Sequence, residues 1–95
     1  MDKQDQETLA ILVEECAEVI QAVSKIVRFG IDNSWNGTTP RQDLETEIGD
    51  VLALIDIAVA RGLVRHIKLQ EAKECKVQKL HKWSSIFSDD DSEDK

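Results

Sequence analysis

Three long stretches of this chain repeat apolar residues at spacings of three and four, a period that admits little besides amphipathic α-helices. In the first, Leu9, Leu12, Val13, Cys16, Val19, Ile20, Val23, Ile26 and Val27 share one side of a helix expected from about Asp5 to Phe29. Gly30 is a natural stop, because glycine tolerates the left-handed conformation just past a helix end. Residues Ile31 to Thr39, IDNSWNGTT, are turn formers around one Trp and read as a loop. Thr39-Pro40-Arg41-Gln42 then reads as a helix start. Thr39 caps, Pro40 takes the first helical position, and Gln42 closes a capping box. The second helix is expected to reach about Arg61, with Leu44, Ile48, Val51, Leu52, Ile55, Ala58 and Val59 inward and Gly62 as its stop. A third runs from about His66 to Phe87 on a stripe of Leu69, Ala72, Leu80, Trp83 and Phe87. No segment alternates with period two, so the fold class is all-α.

Ninety-five residues make one domain, and a chain this short buries a modest share of its surface. A lone three-helix monomer is then marginal, and oligomerisation is a usual remedy. The net charge of -7 argues against a nucleic-acid backbone as partner, since such binders show a basic patch or stripe. Ser88 to Lys95 hold five acids and one Lys, so this segment supplies -4 of that charge. It is too polar to pack, which divides the chain into a helical domain over 1–87 and a disordered acidic tail over 88–95. Cys16 and Cys75 lie far apart among apolar residues and read as buried free thiols. The polar start, Met1 to Glu7, resembles neither a signal nor a transit peptide, and no apolar run reaches membrane-spanning length. A cytoplasmic location is the expectation, with no membrane partner.

The chemistry lies in the acids. The first helix carries Glu14, Glu15 and Glu18, and the second carries Asp43, Glu47 and Asp50. At about 100° per residue, Glu15 and Glu18 line one edge of the first apolar stripe, and Glu47, Asp50 and Asp43 line one edge of the second. Antiparallel packing lets those edges face each other near mid-helix. Converging carboxylates repel, and no Lys or Arg interrupts them on the same edge. A hard divalent cation resolves the conflict, because Mg²⁺ takes oxygen ligands and bridges carboxylates to phosphates. Either acid group alone is unspecific, since solvated helix faces often look the same. The ordered pair at the stripe edges of neighbouring helices is much more specific.

Glu14-Glu15-Cys16-Ala17-Glu18, a gap of 28 residues, then Glu47-Ile48-Gly49-Asp50 resembles the EExxE…ExxD signature of MazG-like pyrophosphohydrolases, members of the all-α NTP pyrophosphatase superfamily. The contexts LVEECAEVIQAVSK and LETEIGDVLALI look like the family too, and the resemblance covers about residues 8 to 87. It implies a four-helix-bundle-like core completed between subunits of a dimer or tetramer. It implies Mg²⁺, or Mn²⁺, held by Glu15, Glu18, Glu47 and Asp50, and hydrolysis of a nucleoside triphosphate to monophosphate and pyrophosphate. Glu14 or Glu15 is expected to orient or deprotonate the attacking water. Trp83 matches a family position in the last helix, while Gln78 and His81 stand where the family often carries Asn and Arg. Similarity to small single-domain relatives that control nucleotide pools points towards purine deoxynucleotides such as dGTP and dATP.

Further residues have two readings each. Lys73 and Lys76 interrupt the third helix's stripe, so they either snorkel outward or bind phosphate. Arg28 and Lys25 either complement the end of the first helix or guard a nucleotide entrance. Trp35, flanked by Asn33, Ser34 and Asn36, either stacks on a base or covers the end of the bundle. His66 and His81 are isolated and read as ordinary helix residues. Two rivals to the pyrophosphohydrolase reading stay open. One is a non-enzymatic helical oligomerisation module. The other is a narrower relative, a dUTPase or a phosphoribosyl-ATP pyrophosphatase.

Overall fold

A computed structural model of the chain describes residues 1–34 and 37–88. Trp35 lies outside the described residues, as does the acidic tail from residue 89 on. The described residues form three helices, α1 (Lys3–Phe29), α2 (Pro40–Ala60) and α3 (His66–Trp83). No strand occurs among the described residues, so the all-α expectation holds. The chain divides into two compact units. One is Met1–Leu63, with α1 and α2, and the other starts at Val64 and carries α3. No described helix is long and apolar enough to cross a membrane.

Local chemistry sets the helix ends. α1 starts two residues before the expected position because the Asp2 carboxylate accepts the Asp5 backbone N–H at 2.7 Å, an N-cap that the sequence reading missed. α1 ends at Gly30, whose φ of +91° suits glycine and whose N–H donates to the Ile26 carbonyl at 2.8 Å. The capping box at α2 forms as expected. The Gln42 N–H donates to the Thr39 hydroxyl at 3.1 Å, and the Thr39 N–H donates to the Gln42 side-chain oxygen at 2.9 Å. At the far end Gly62, with φ +77°, donates to the Val59 carbonyl while Leu63 donates to the Ala58 carbonyl, which together make a Schellman motif.

Two clamps make α1 and α2 an antiparallel hairpin. At one end Arg61, the residue that caps the end of α2, donates to Asp5 at 2.6 Å and to Asp2 at 3.2 Å. At the other, Arg41 donates through its backbone to the Ile31 carbonyl at 2.9 Å, and its guanidinium grips both oxygens of Asp32 at 2.9 and 3.0 Å. Between the clamps, the covered positions include Thr8, Leu12, Glu15, Val19, Ala22 and Ile26 of α1 and Pro40, Leu44, Glu47, Val51, Leu54 and Ala58 of α2, with Leu9, Ile11, Asp43, Ile55 and Val59 half-covered beside them. The apolar residues buried most deeply are Ala22 and Ala58, small enough for close helix approach.

This seam corrects the expected core. The helices meet along one edge of their apolar stripes, the edge that carries the acids, and not through the stripe centres. Val13, Ile20, Val23 and Val27 of α1, and Ile48 and Leu52 of α2, are exposed although the periodicity placed them inward. The reason is angular. Each apolar arc spans more of its helix than one neighbour can cover, so contact with a single partner leaves the far edge bare. Cys16 lies on that bare edge and is exposed, and Cys75 of α3 is exposed as well. Both thiols are free, but neither is buried as expected.

Among the described residues of the α3 unit none is buried, and Leu69 and Leu80 are half-covered. α3 stops at Trp83, four residues before the expected end. There the Ser84 hydroxyl donates to the Leu80 carbonyl at 2.7 Å and accepts from the Ile86 N–H at 3.3 Å, a local turn that competes with continued helix. Phe87 therefore leaves the expected stripe, and its ring stacks on His81 with centroids 4.2 Å apart.

The tight seam predicts that Ala58→Leu, which forces a larger side chain between close helices, lowers the unfolding free energy by about 1–3 kcal/mol. Urea denaturation followed by circular dichroism measures this.

Candidate metal centre

α1 and α2 bring Glu15, Glu47 and Asp50 together. One carboxylate oxygen from each lies within 4.8 Å of the other two, an arrangement able to hold a metal ion. The helical period explains the meeting. Glu47 and Asp50 are three apart and project to one side of α2. Glu15 stands on the covered seam of α1, opposite them across the antiparallel pair. Glu15 and Glu47 are half-covered, and Asp50 is exposed at the rim.

Electrostatics mark the same place. The Glu15 carboxyl is pushed above its ordinary value first by burial, then by the charges of Asp50, Glu47 and Glu18, and a hydrogen bond with Asp50 adds to this. Glu47 is raised by burial and by Glu18, Asp50 and Asp43, while the positive charge of Lys25 opposes the rise. Glu18 and Asp43 thus act on the cluster although they stand outside its tightest part. By contrast Asp2 and Asp32, which hold the helix ends, sit below their ordinary values. Asp2 is lowered mainly by the Asp5 backbone N–H and Asp32 by its hydrogen bond with Arg41.

The other residues singled out in the sequence are placed as follows. Glu14 is exposed and outside the three-carboxylate group, because adjacent helical residues point about 100° apart. Arg28 is exposed at the end of α1, with its guanidinium 5.1 Å from the centroid of the Phe29 ring. The Asn33 side-chain amide donates to the Phe29 carbonyl and so ties the loop to the end of α1. Lys73 and Lys76 are exposed on α3, in the second unit, and Lys73 borders a shallow hollow with Gln70, Glu74, Val77 and Gln78. The sequence reading did not anticipate that Lys25, Phe29, Thr38, Pro40 and Asp43 enclose a hollow of about 290 Å³. The signal was available in part, since Lys25, Phe29 and Asp43 fall on the acid-bearing side of their helices.

The raised carboxyls give a sign for pH dependence. A carboxyl whose folded value is raised binds its proton more tightly in the folded state than in the unfolded chain. The penalty from Glu15 and Glu47 is therefore present at neutral pH and fades as pH falls through their raised values towards 4.5. Metal-free protein is expected to melt at a higher temperature near the lower end of that window than at pH 7. Thermal denaturation in a chelator across this range checks the direction.

No curated protein and no solved structure matches the chain. A family model does, that of the MazG nucleotide pyrophosphohydrolase domain, over residues 3–84. That span takes in all three helices and every carboxylate of the cluster. By its sequence over nearly the whole described length, this chain belongs to the MazG nucleotide pyrophosphohydrolase domain family.

Proposed function

We propose that the protein hydrolyses nucleoside triphosphates to monophosphate and pyrophosphate, with Glu15, Glu18, Glu47 and Asp50 holding Mg²⁺ or Mn²⁺. The observation that carries this reading is the convergence of Glu15, Glu47 and Asp50 from two helices in a chain of this family. The donor set fits a hard cation, being all carboxylate oxygen without thiol or imidazole. Such a cation, when bound, neutralises triphosphate charge and acidifies water.

The chain's own residues supply the rest. Glu15, Glu18, Glu47 and Asp50 would hold the cation, which would supply the positive charge that the phosphates need. Glu14 and Glu15 are the candidates to take the proton from the attacking water. Glu15 reaches the cluster, and Glu14 stands next to it in the chain, outside the three-carboxylate group. Water attacks phosphorus at the α–β bridge and the bridging P–O bond breaks. The water proton goes to the carboxylate, and pyrophosphate and monophosphate leave. Attack at either flanking phosphorus gives the same products. Within the triphosphates we favour purine deoxynucleotides such as dGTP and dATP, in a cytoplasmic, pool-controlling role. Lys73, Lys76, Arg28, Asn33 and Trp35 remain candidate substrate contacts.

The protein works in this reading as a homo-oligomer. In an antiparallel hairpin, equal angular offsets on both helices point to the same side. The exposed edges, with Val13, Ile20 and Val27 of α1 and Ile48 and Leu52 of α2, therefore form one apolar flank, opposite the flank where Glu18 and Asp50 emerge. A second hairpin laid on that flank completes a four-helix core and leaves the acids accessible.

Pyrophosphate release from a panel of eight common NTPs and dNTPs tests the activity. We expect release that EDTA abolishes and that Glu47→Gln lowers by at least about 100-fold, since even outer-shell changes at metal sites cost 10–100-fold. Absence of release from every triphosphate refutes the reading. Sedimentation equilibrium is expected to give a multiple of the 10.7 kDa chain mass, and Ile20→Glu is expected to return it to a monomer. A wild-type monomer refutes the apolar-flank assembly.

A further inference from the structure

The hollow bounded by Lys25, Phe29, Thr38, Pro40 and Asp43 has no part in the cluster, yet its position relates to it closely. On α2, Asp43 and Pro40 stand four and seven residues before Glu47, so they share its face one and two turns away. On α1, Lys25 and Phe29 stand seven and eleven residues after Glu18, again on one face. The hollow therefore opens on the acid-bearing flank, roughly 10 Å along the hairpin from the carboxylates. That spacing matches the reach from the phosphates of a nucleotide to its base.

The direction is set as well. Towards the start of α1, Thr8 and Ala58 are buried and Arg61 holds Asp2 and Asp5. Towards the end of α1 lies the hollow. Phe29 is exposed there, an aromatic ring on an otherwise polar flank. The Asn33 amide on its carbonyl and the Arg28 guanidinium beside its ring tie it to the neighbouring chain. The Arg41–Asp32 pair returns the loop so that Thr38 and Pro40 complete the wall. Lys25 stands between the two places. Its charge reaches Glu47, and it has no salt-bridge partner within 4.0 Å among the described residues.

We propose that this hollow receives the nucleoside part of the triphosphate, with Phe29 stacking on the base, Lys25 contacting the phosphate chain, and Thr38 and Asp43 contacting the sugar or base edge. The assignment rests on the pyrophosphohydrolase reading and adds the direction in which the substrate lies. The volume is near the low end of the ~300–1,000 Å³ usual for ligand sites, which suits one base with its sugar partly outside.

The test combines kinetics on the full chain with binding of a triphosphate whose α–β bridge is a non-hydrolysable methylene. Phe29→Ala is expected to raise KM and the analogue's Kd roughly 10-fold, the scale of one base–aromatic stack, with Mn²⁺ affinity unchanged. Phe29→Leu, which keeps the apolar volume, is expected to lose most of the same affinity and to flatten the preference among bases. Lys25→Met is expected to raise KM, and Lys25→Arg to restore it. Wild-type turnover with KM, Kd and base preference unmoved in both folded Phe29 variants overturns the subsite and leaves the activity standing. No turnover, but analogue binding that depends on Phe29, overturns the activity and supports the subsite. Neither turnover nor binding overturns both.

Discussion

Like charges meet at the middle of the α1–α2 seam, and the rest of the hairpin is arranged to tolerate them. Glu15 sits between the helices facing Glu47 and Asp50, with Glu18 and Asp43 close enough to act on the group. Burial and mutual repulsion both push Glu15 and Glu47 towards the protonated form, so the seam works against its own ionisation at neutral pH. Opposing that are features at the two ends of the hairpin. Arg61 holds Asp2 and Asp5, Arg41 holds Asp32, and the capping box at Thr39 fixes the start of α2. Small residues at Ala22 and Ala58 let the helices approach closely along the same seam. In our account a cation held there relieves the repulsion.

Much of this was legible in the sequence because it depends on local rules. The box at Thr39 and Gln42 and the stops at Gly30 and Gly62 follow from spacing alone, and spacing puts Glu15, Glu47 and Asp50 at stripe edges where an antiparallel pair can bring them together. What escaped the sequence reading depends on how many neighbours a helix has. Periodicity marks Val13, Cys16, Ile20 and Val27 as apolar-face residues, and they do form a continuous edge, but a single partner helix covers only the other edge. Position on an apolar stripe was therefore a poor guide to burial for Cys16. The Ser84 turn that ends α3 early is a competition between a side-chain hydroxyl and the helix ladder, and helical periodicity does not register it. The Phe29–Pro40 hollow depends on the return path of the loop, which the Arg41–Asp32 pair fixes across nine residues.

Two flanks with opposite chemistry give the hairpin its division of labour in our account. The apolar flank supplies the burial that ninety-five residues cannot find within one hairpin. The acid flank stays open for a cation, a triphosphate and, along the groove, a nucleoside. Both properties come from one choice, packing α1 against α2 through the edges of their stripes. Packing through the stripe centres would cover Val13 and Ile20 but part the carboxylates.

In our reading the Glu15, Glu47 and Asp50 group is a divalent-cation site whose occupancy relieves repulsion in the seam. Thermal unfolding of the wild-type chain at pH 7, titrated with MgCl₂ or MnCl₂ at constant ionic strength, tests it most directly. A divalent-cation site gives a saturable rise of the melting temperature that NaCl and tetramethylammonium chloride do not reproduce, as binding to the folded state alone requires. A melting temperature that responds to divalent and monovalent salts alike would contradict it and leave the carboxylates as an ordinary charged flank.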